Sequence, residues 1–252
     1  MSRHVLASRS EAEVSWHRRR SFIQAASAWT AMGGFTGAWA QQRSNVVERR
    51  GDFLLNGRPM ASGQPVQSGD TLQSGPDSSM VFVVGNASFL VRQNSYLSVE
   101  RGHTLNTVSL LRLVAGAVAS VWGSGQRRLI TTPTVTVGIR GTGVYTEVFK
   151  AQNNRSYFCN CYGVVELDAS GEKLRSEAQY HQSFWAEPAP RNGRMLTPAG
   201  AINHSDEEIE QLAALVGQRT AWQTAGRPGV KDGRGYMDAA PGAVHPAAPP
   251  AK

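Results

Sequence analysis

Apolar and polar residues alternate in short runs along most of the chain. Beyond position 50, turn residues separate the apolar runs about every eight to twelve positions, which is typical of a sandwich, a barrel or a rolled sheet. Alternation with a period of two residues indicates strands that bury one face. The pattern therefore predicts an all-β domain at residues 51–187, folded as a rolled sheet, a sandwich or a solenoid-like stack of strands.

Dipeptides that favour tight turns mark two hairpins in this region. Asn-Gly is the strongest two-residue hairpin signal, and Asn56-Gly57 has apolar residues on both sides. Gly85-Asn86 takes the same place in a second predicted hairpin. Further strands are predicted at residues 96–99, 107–113 and 117–122.

Residues 131–148 form the centre of the pattern. Two β-branched runs flank Gly138, Gly141 and Gly143, which predicts a strand, a glycine-rich bend and a second strand. Glycine allows a positive φ, or the close approach of another segment, at such a bend or bulge. Arg140 is the only charged residue in the bend, and we expect it to cap carbonyls or to pair with a carboxylate inside the fold. The alternative is a contact with an anion or a partner.

The C-terminal part differs from the β-rich part. Prolines predict a loop, and Ser205 with Glu208 then forms a capping box that begins a helix. The loop and helix occupy residues 188–222, and we expect the helix to lie on the β domain. A tail rich in glycine, proline and alanine, residues 223–252, is predicted to be disordered. The apolar stripe of the helix consists of Ile209, Leu212, Ala213 and Val216.

The N-terminus resembles an export signal. Arg19 and Arg20 begin the sequence Arg-Arg-Ser-Phe-Ile-Gln, which resembles the twin-arginine motif. A weakly apolar stretch follows, and Ala38 and Ala40 form a small-x-small cleavage site. Residues 1–40 are therefore predicted to be a signal peptide, and the mature protein is expected to be periplasmic or secreted.

A second interpretation of this region is an uncleaved membrane anchor. Residues 22–40 carry no charge and are close to the length that a bilayer requires, although glycine, serine and threonine make them a poor anchor. Contact with a membrane is expected only through this segment. The polar residues 41–50 are predicted to be a loose leader.

The net charge of +7 does not indicate a nucleic-acid partner. The first forty residues contain five arginines against two glutamates, so much of the basic character belongs to the export signal. No cluster of basic residues interleaved with aromatics occurs in the remainder of the sequence.

Cys159 and Cys161 are the only cysteines. Residues i and i+2 of a strand point to the same face, so the two sulfurs should project together. Three interpretations remain open: reduced thiols that pack as small apolar groups, a Cys-x-Cys disulfide, or ligation of a transition metal with His181 and His204 as further ligands. The twin-arginine route carries folded proteins, which favours a cofactor bound before export.

Signatures of common enzyme classes are absent from the sequence. It contains no G-x-S-x-G elbow, no H-E-x-x-H, no phosphate-binding glycine loop and no dinucleotide fingerprint after a strand. Asp70 and Asp77 occur in turns near glycines, where aspartate usually bonds the local backbone. The sequence therefore predicts no catalytic site.

The run Gly138-Ile139-Arg140-Gly141-Thr142, which follows a Thr-Pro pair, resembles the signature of the FecR domain, a bacterial extracytoplasmic all-β module. Further matches lie upstream in the same order, at Asn56-Gly57-Arg58-Pro59, Gly63-Gln64-Pro65-Val66, Gly69-Asp70-Thr71-Leu72 and Gly116-Ala117-Val118. The best-known members are transmembrane regulators that relay siderophore-transporter signals to a sigma factor. We find no cytoplasmic helical segment before an anchor and no second signalling module, so sigma regulation is not expected to carry over intact.

Three functions are consistent with the sequence. The resemblance implies an exported, non-catalytic sensor, binding or scaffold protein with a protein or cell-envelope partner, in extracytoplasmic signalling. One alternative is a small metal-binding or redox protein that uses the two cysteines and two histidines. The other is a cell-wall or polysaccharide-binding module that uses exposed aromatics such as Trp122 and Tyr145.

Changing Arg19 and Arg20 together to lysine is expected to leave the unprocessed chain in the cytoplasm, because the translocase recognises the paired guanidinium groups and not charge alone. Immunoblots of cytoplasmic and periplasmic fractions measure the effect. The variant with Arg3→Lys and Arg9→Lys is the matched control and should be exported normally. Export of the first variant at the parental level would contradict the prediction.

Overall fold

The computed structural model describes residues 44–102, 107–125 and 127–227, and within them it confirms the all-β prediction. The predicted signal peptide, with Arg19, Arg20, Ala38 and Ala40, lies outside the described residues, as does most of the predicted tail. No helix in the described ranges is long and apolar enough to cross a membrane. The elements are β1 (Val46–Arg50), β2 (Phe53–Leu55), β3 (Arg58–Pro59), β4 (Thr71–Ser74), β5 (Ser79–Val84), β6 (Ala87–Val91), β7 (Tyr96–Arg101), β8 (Val108–Trp122), β9 (Arg128–Thr131), β10 (Thr136–Phe149), β11 (Arg155–Ala169), β12 (Glu172–Ala178), β13 (Gln182–Arg191), β14 (Arg194–Ala199), α1 (Asp206–Leu215) and α2 (Ala221–Thr224).

Three long strands, β8, β10 and β11, connect two halves of one sheet. The N-terminal part of β8 pairs with β7, and its C-terminal part pairs with β6 and β10. Similarly, β10 pairs first with β9 and then with β8, while β11 pairs first with β13 and then with β12. Both predicted hairpins are confirmed as β2–β3 and β5–β6. The long strands thus carry the chain from one half of the sheet to the other.

Each long strand changes partners next to a glycine with positive φ. These residues are Gly116 in β8 (φ 75°), Gly141 in β10 (φ 64°) and Gly163 in β11 (φ 97°). Side chains with a Cβ rarely adopt this conformation, so glycine lets the strand bend without strain. The bends allow the sheet to fold over on itself.

The glycine-rich stretch around Gly141 is a bulge within one strand and not a turn between two strands. β10 is continuous, and its register with β11 shifts between Arg140 and Gly143 and again between Gly143 and Val144. Arg140 is exposed, and within the described residues it forms no ion pair, so the prediction of a partner inside the fold is wrong. The reason is that the bulge turns its side chain towards solvent.

Two hydrophobic clusters stabilise the fold. The larger contains side chains from both halves of the sheet, among them Leu72, Phe82, Phe89, Trp122 and Phe158. The second lies on the opposite face, between the sheet and the helices. Trp122 and Tyr145 are both fully buried, one in each cluster, so the expectation that they form an exposed carbohydrate-binding surface is wrong. Their large apolar area is used for packing.

The predicted C-terminal helix forms and docks on the sheet. Ser205 and Glu208 make the reciprocal hydrogen bonds of a capping box, and Glu208 also forms a buried ion pair with Arg92 at 2.8 Å. The Ser88 hydroxyl donates to the carbonyl of Leu212 at 2.7 Å. Of the predicted stripe, Ile209, Leu212 and Ala213 are buried and Val216 is half-buried. A second capping box begins the short α2, which was not predicted.

The β-sheet is longer than the predicted 51–187. β1 lies within the predicted leader, where it pairs with β5, and Asn45 bonds the backbone of Val66 and Val83. The predicted loop-and-helix segment at residues 188–222 begins with β-structure. Pro188 and Pro190 follow the part of β13 that pairs with β11, and Pro198 lies on the edge strand β14. Proline is tolerated at such positions because no ladder donor is needed there.

Replacing Gly141 by valine is expected to lower the melting temperature, because a β-branched residue at φ 64° is strained by about 1–3 kcal/mol. Thermal unfolding followed by circular dichroism measures the effect. Gly200→Val is the matched control, since Gly200 is exposed and a Cβ there would meet nothing within 4 Å. Equal melting temperatures for the two variants would show that the bulge tolerates any side chain.

Candidate metal centre

Cys159 and Cys161 project from the same face of β11, as the two-residue spacing predicts. Their Sγ atoms are 3.9 Å apart, and both residues are free cysteines with 0% exposure. A disulfide requires a sulfur–sulfur distance of about 2.05 Å. The two thiols are therefore reduced and belong to the second hydrophobic cluster, beneath the helices.

His181 and His204 complete a group of four. His181 lies between β12 and β13 and has a φ of 35°. Its backbone N–H donates to the Cys161 carbonyl at 2.9 Å, and its imidazole Nδ1 is 3.4 Å from Cys159 Sγ. His204 lies just before α1, and its Nε2 is 3.5 Å from Cys161 Sγ. The two imidazole nitrogens are 3.2 Å apart. All four residues predicted as ligands thus point into one small space.

Four of the six distances between these donor atoms match those of a tetrahedral site. All four atoms lie within 4.8 Å of one another. Ordinary Zn–S and Zn–N bonds at tetrahedral angles would separate two sulfurs by about 3.8 Å, sulfur from nitrogen by about 3.6 Å and two nitrogens by about 3.3 Å. The observed distances of 3.9, 3.4, 3.5 and 3.2 Å agree with these values. The four donor atoms are thus close enough to converge on one ion of zinc's size.

The outer nitrogen of each imidazole has an acceptor that fixes its orientation. Nε2 of His181 lies 2.8 Å from the Asp206 carboxylate, whose second oxygen accepts from the Tyr180 hydroxyl at 2.7 Å. Nδ1 of His204 donates to the Ile202 carbonyl at 2.6 Å. These bonds turn Nδ1 of His181 and Nε2 of His204 towards the sulfurs. Such carboxylate and carbonyl partners are typical of metal-ligating histidines.

Aromatic rings enclose the group. Tyr145 stacks on His204 with ring centroids 4.7 Å apart, and Trp222 of α2 stacks on His181 at 5.4 Å. Both histidines are only 4% exposed. The four donors are thus shielded from solvent, which is a feature of structural rather than catalytic zinc sites.

The electrostatics of the group are dominated by its burial. Burial would raise the pKa of Cys159, but the hydrogen bond from Cys161 and the imidazoles of His204 and His181 lower that pKa well below its usual value. Burial and the neighbouring Cys159 sulfur raise the pKa of Cys161. Burial would lower the pKa of His181, but Cys159 and Asp206 raise it from 6.5 to about 9. The thiolate form is thus favoured at Cys159 and disfavoured at Cys161.

A divalent ion can replace the protons of this group. Cys161 and His181 would each lose a proton on ligation, and the ion would supply the positive charge that balances two thiolates. Since all four positions are taken by protein atoms, the group can hold a metal but leaves no position open for substrate.

The residues of the FecR-like signature lie in turns and strands of the β domain, and none of them is among the four donors. Gly69 has φ 105°, and the Asp70 carboxylate accepts from the Gln67 N–H and from the Asn56 side chain, both at 2.7 Å. Gly138, Ile139 and Thr142 are buried in β10, whose outward Arg140 and bulged Gly141 are described above. The expectation that Asp70 bonds the local backbone is confirmed.

Several residues that build the site were not predicted. Asp206 and Glu208 both lie in the first turn of α1, where acidic residues are explained by the helix dipole, yet Asp206 orients His181 and Glu208 pairs with Arg92. Trp222 is the last residue of the predicted loop-and-helix segment, and no role is predicted for it from the sequence. The available signal for Asp206 is its position two residues after His204, which puts it beside any site that includes that histidine.

Comparison with known proteins yields only structural alignments of low similarity. No protein-family model matches the chain, and no curated protein matches it. Two crystal structures of a proposed anti-sigma factor from Parabacteroides distasonis align with it, each at 10% sequence identity and a TM-score of 0.44. The alignments cover 55% and 53% of this chain and 62% and 60% of the other, so the chain spans less than two thirds of the protein it matches.

Proposed function

We propose that this protein is a non-catalytic metal-binding β-domain, in which Cys159, Cys161, His181 and His204 hold one zinc ion that stabilises the fold. The observation that carries the proposal is the placement of four buried donor atoms within 4.8 Å of one another. Two sulfurs and two nitrogens in this geometry favour zinc among the common divalent ions. Structural sites of this kind contribute directly to folding free energy.

The closed surroundings favour a structural role over a redox role. Zinc does not change oxidation state, and every donor is buried beneath aromatic rings. A redox dithiol would need an accessible sulfur that a partner can attack. Both sulfurs are fully buried, so a working redox pair is the less suitable assignment.

We also propose where the protein acts and what role it has there. Export through the twin-arginine route is supported by Arg19 and Arg20, and it is compatible with an ion bound before translocation. The FecR-like signature supports a binding or scaffold role with a protein or cell-envelope partner, in extracytoplasmic signalling. In this proposal the metal ion maintains the domain, and the partner is recognised by the domain's surface.

Protein purified from its own exported compartment is expected to contain about one zinc per chain, measured by elemental analysis. The variant with Cys159→Ser and Cys161→Ser should lose the metal and melt at lower temperature, since a structural zinc site contributes to folding. His103→Gln, which removes a histidine outside the ligand set, is the control and should retain zinc. Two alkylatable thiols in unfolded wild-type protein, with no metal present, would contradict the proposal.

Asp206→Asn is expected to weaken zinc affinity by about 10–100-fold, because it removes the charge that orients and strengthens His181 as a ligand. Competition with a chromophoric chelator measures the affinity. Glu207→Gln is the matched control, since it removes a charge from the same helix turn without a bond to His181. Equal affinities of the two variants would show that Asp206 acts only on the helix.

A further inference from the structure

The four donor residues belong to two separate parts of the fold. Cys159 and Cys161 lie on β11, and His181 is joined to that strand by the hydrogen bond from its N–H to the Cys161 carbonyl. His204 belongs to the segment that follows the last strand. We call residues 202–227 the C-terminal strap. The sheet thus supplies three donors and the strap supplies one.

The strap also supplies the surroundings of a ligand that it does not carry. Asp206 accepts from Nε2 of His181, and Trp222 stacks on the same ring. Both residues belong to the strap, whereas His181 belongs to the sheet. Only when the strap is docked, therefore, are the four donor residues together and His181 both oriented and covered.

Contacts that involve none of the four donor side chains hold the strap in place. The Asn203 amide donates to Glu147 at 2.8 Å, Glu208 pairs with Arg92, and the Ser88 hydroxyl donates to the Leu212 carbonyl. Leu212 is 1% exposed and packs in the second hydrophobic cluster. These contacts can be weakened by substitution without changing any ligand.

We infer that the metal ion and the C-terminal strap are coupled: the ion fastens the strap to the sheet, and opening of the strap is the step that admits and releases the ion. The inference rests on the proposed function and adds an order of events to it. An ion cannot pass the aromatic cover while the strap is docked, because all four donors are buried. The strap must therefore move for exchange to occur.

The coupling acts in both directions. An ion that bridges His204 to three donors of the sheet stabilises the docked strap by its binding free energy. By linkage, docking of the strap must increase the affinity for the ion by the same factor by which the ion favours docking. The strap and the ion are in this sense each other's effectors.

Hydrogen exchange with mass spectrometry tests the first direction. Zinc-loaded and chelator-treated protein are compared, after elemental analysis has established that the loaded sample holds zinc. Removal of zinc is expected to reduce protection of peptides from residues 202–227, while peptides from β5 and β6 keep theirs. Unchanged protection of the strap in protein shown to have lost its zinc would overturn the inference and leave the proposed function standing. Failure to bind zinc at all would instead overturn the proposed function.

Release kinetics test the second direction in zinc-loaded protein, so they remain informative where the metal-free chain unfolds. Leu212→Ala weakens strap docking, and the rate of zinc transfer to an excess of chromophoric chelator is expected to rise about tenfold or more. Leu72→Ala is the matched control. Leu72 is equally buried but lies in β4, within the larger cluster, so its variant should release zinc at nearly the parental rate. Equal rates for the two variants would overturn the inference, because release would then follow general stability and not strap opening.

Discussion

Two sulfurs and two imidazole nitrogens lie within 4.8 Å of one another in an interior closed to water, and the C-terminal part of the fold depends on how their charge is balanced. Ionised groups are costly to bury unless each is paired. The two outer partners, the Asp206 carboxylate and the Ile202 carbonyl, leave both inner ring nitrogens directed at the same space as the two sulfurs. In the proposed function, one divalent ion in that space would balance the charge of the two thiolates.

The buried polar contacts between the strap and the sheet support the arrangement of the four donor residues. Glu208 uses one carboxylate oxygen for the backbone N–H of Ser205 and the other for Arg92, so a single side chain both caps α1 and fixes it to the sheet. Glu147 similarly accepts from Tyr145 and from Asn203. Since Tyr145 stacks on His204, the position of this ligand is set from both sides. Buried pairs of this kind add little net stability but favour one arrangement over others.

The sequence predicts what depends on local rules and misses what depends on distant partners. Turn residues, the capping box and same-face cysteines follow from backbone geometry, and the structure bears them out at Asn56-Gly57, Ser205 and Cys159. The interior position of Trp122 and the outward position of Arg140 depend on which sheet half covers which face, and no local pattern contains that information. The strand β1 was missed for the same reason, because its polar sequence is held by pairing with β5.

The position of the site follows from the bend of the sheet. β11 pairs with β13 up to Asn160 and with β12 from Gly163 onward, so Cys161 lies where the strand changes partners. At that point the chain between β12 and β13 need not stay in register, and His181 can adopt a positive φ that brings its ring over the cysteines. A regular sheet would hold this histidine in the ladder. The glycine bend that folds the sheet around its main core therefore also creates the irregular backbone that a four-ligand site requires, and the strap closes over that same irregularity.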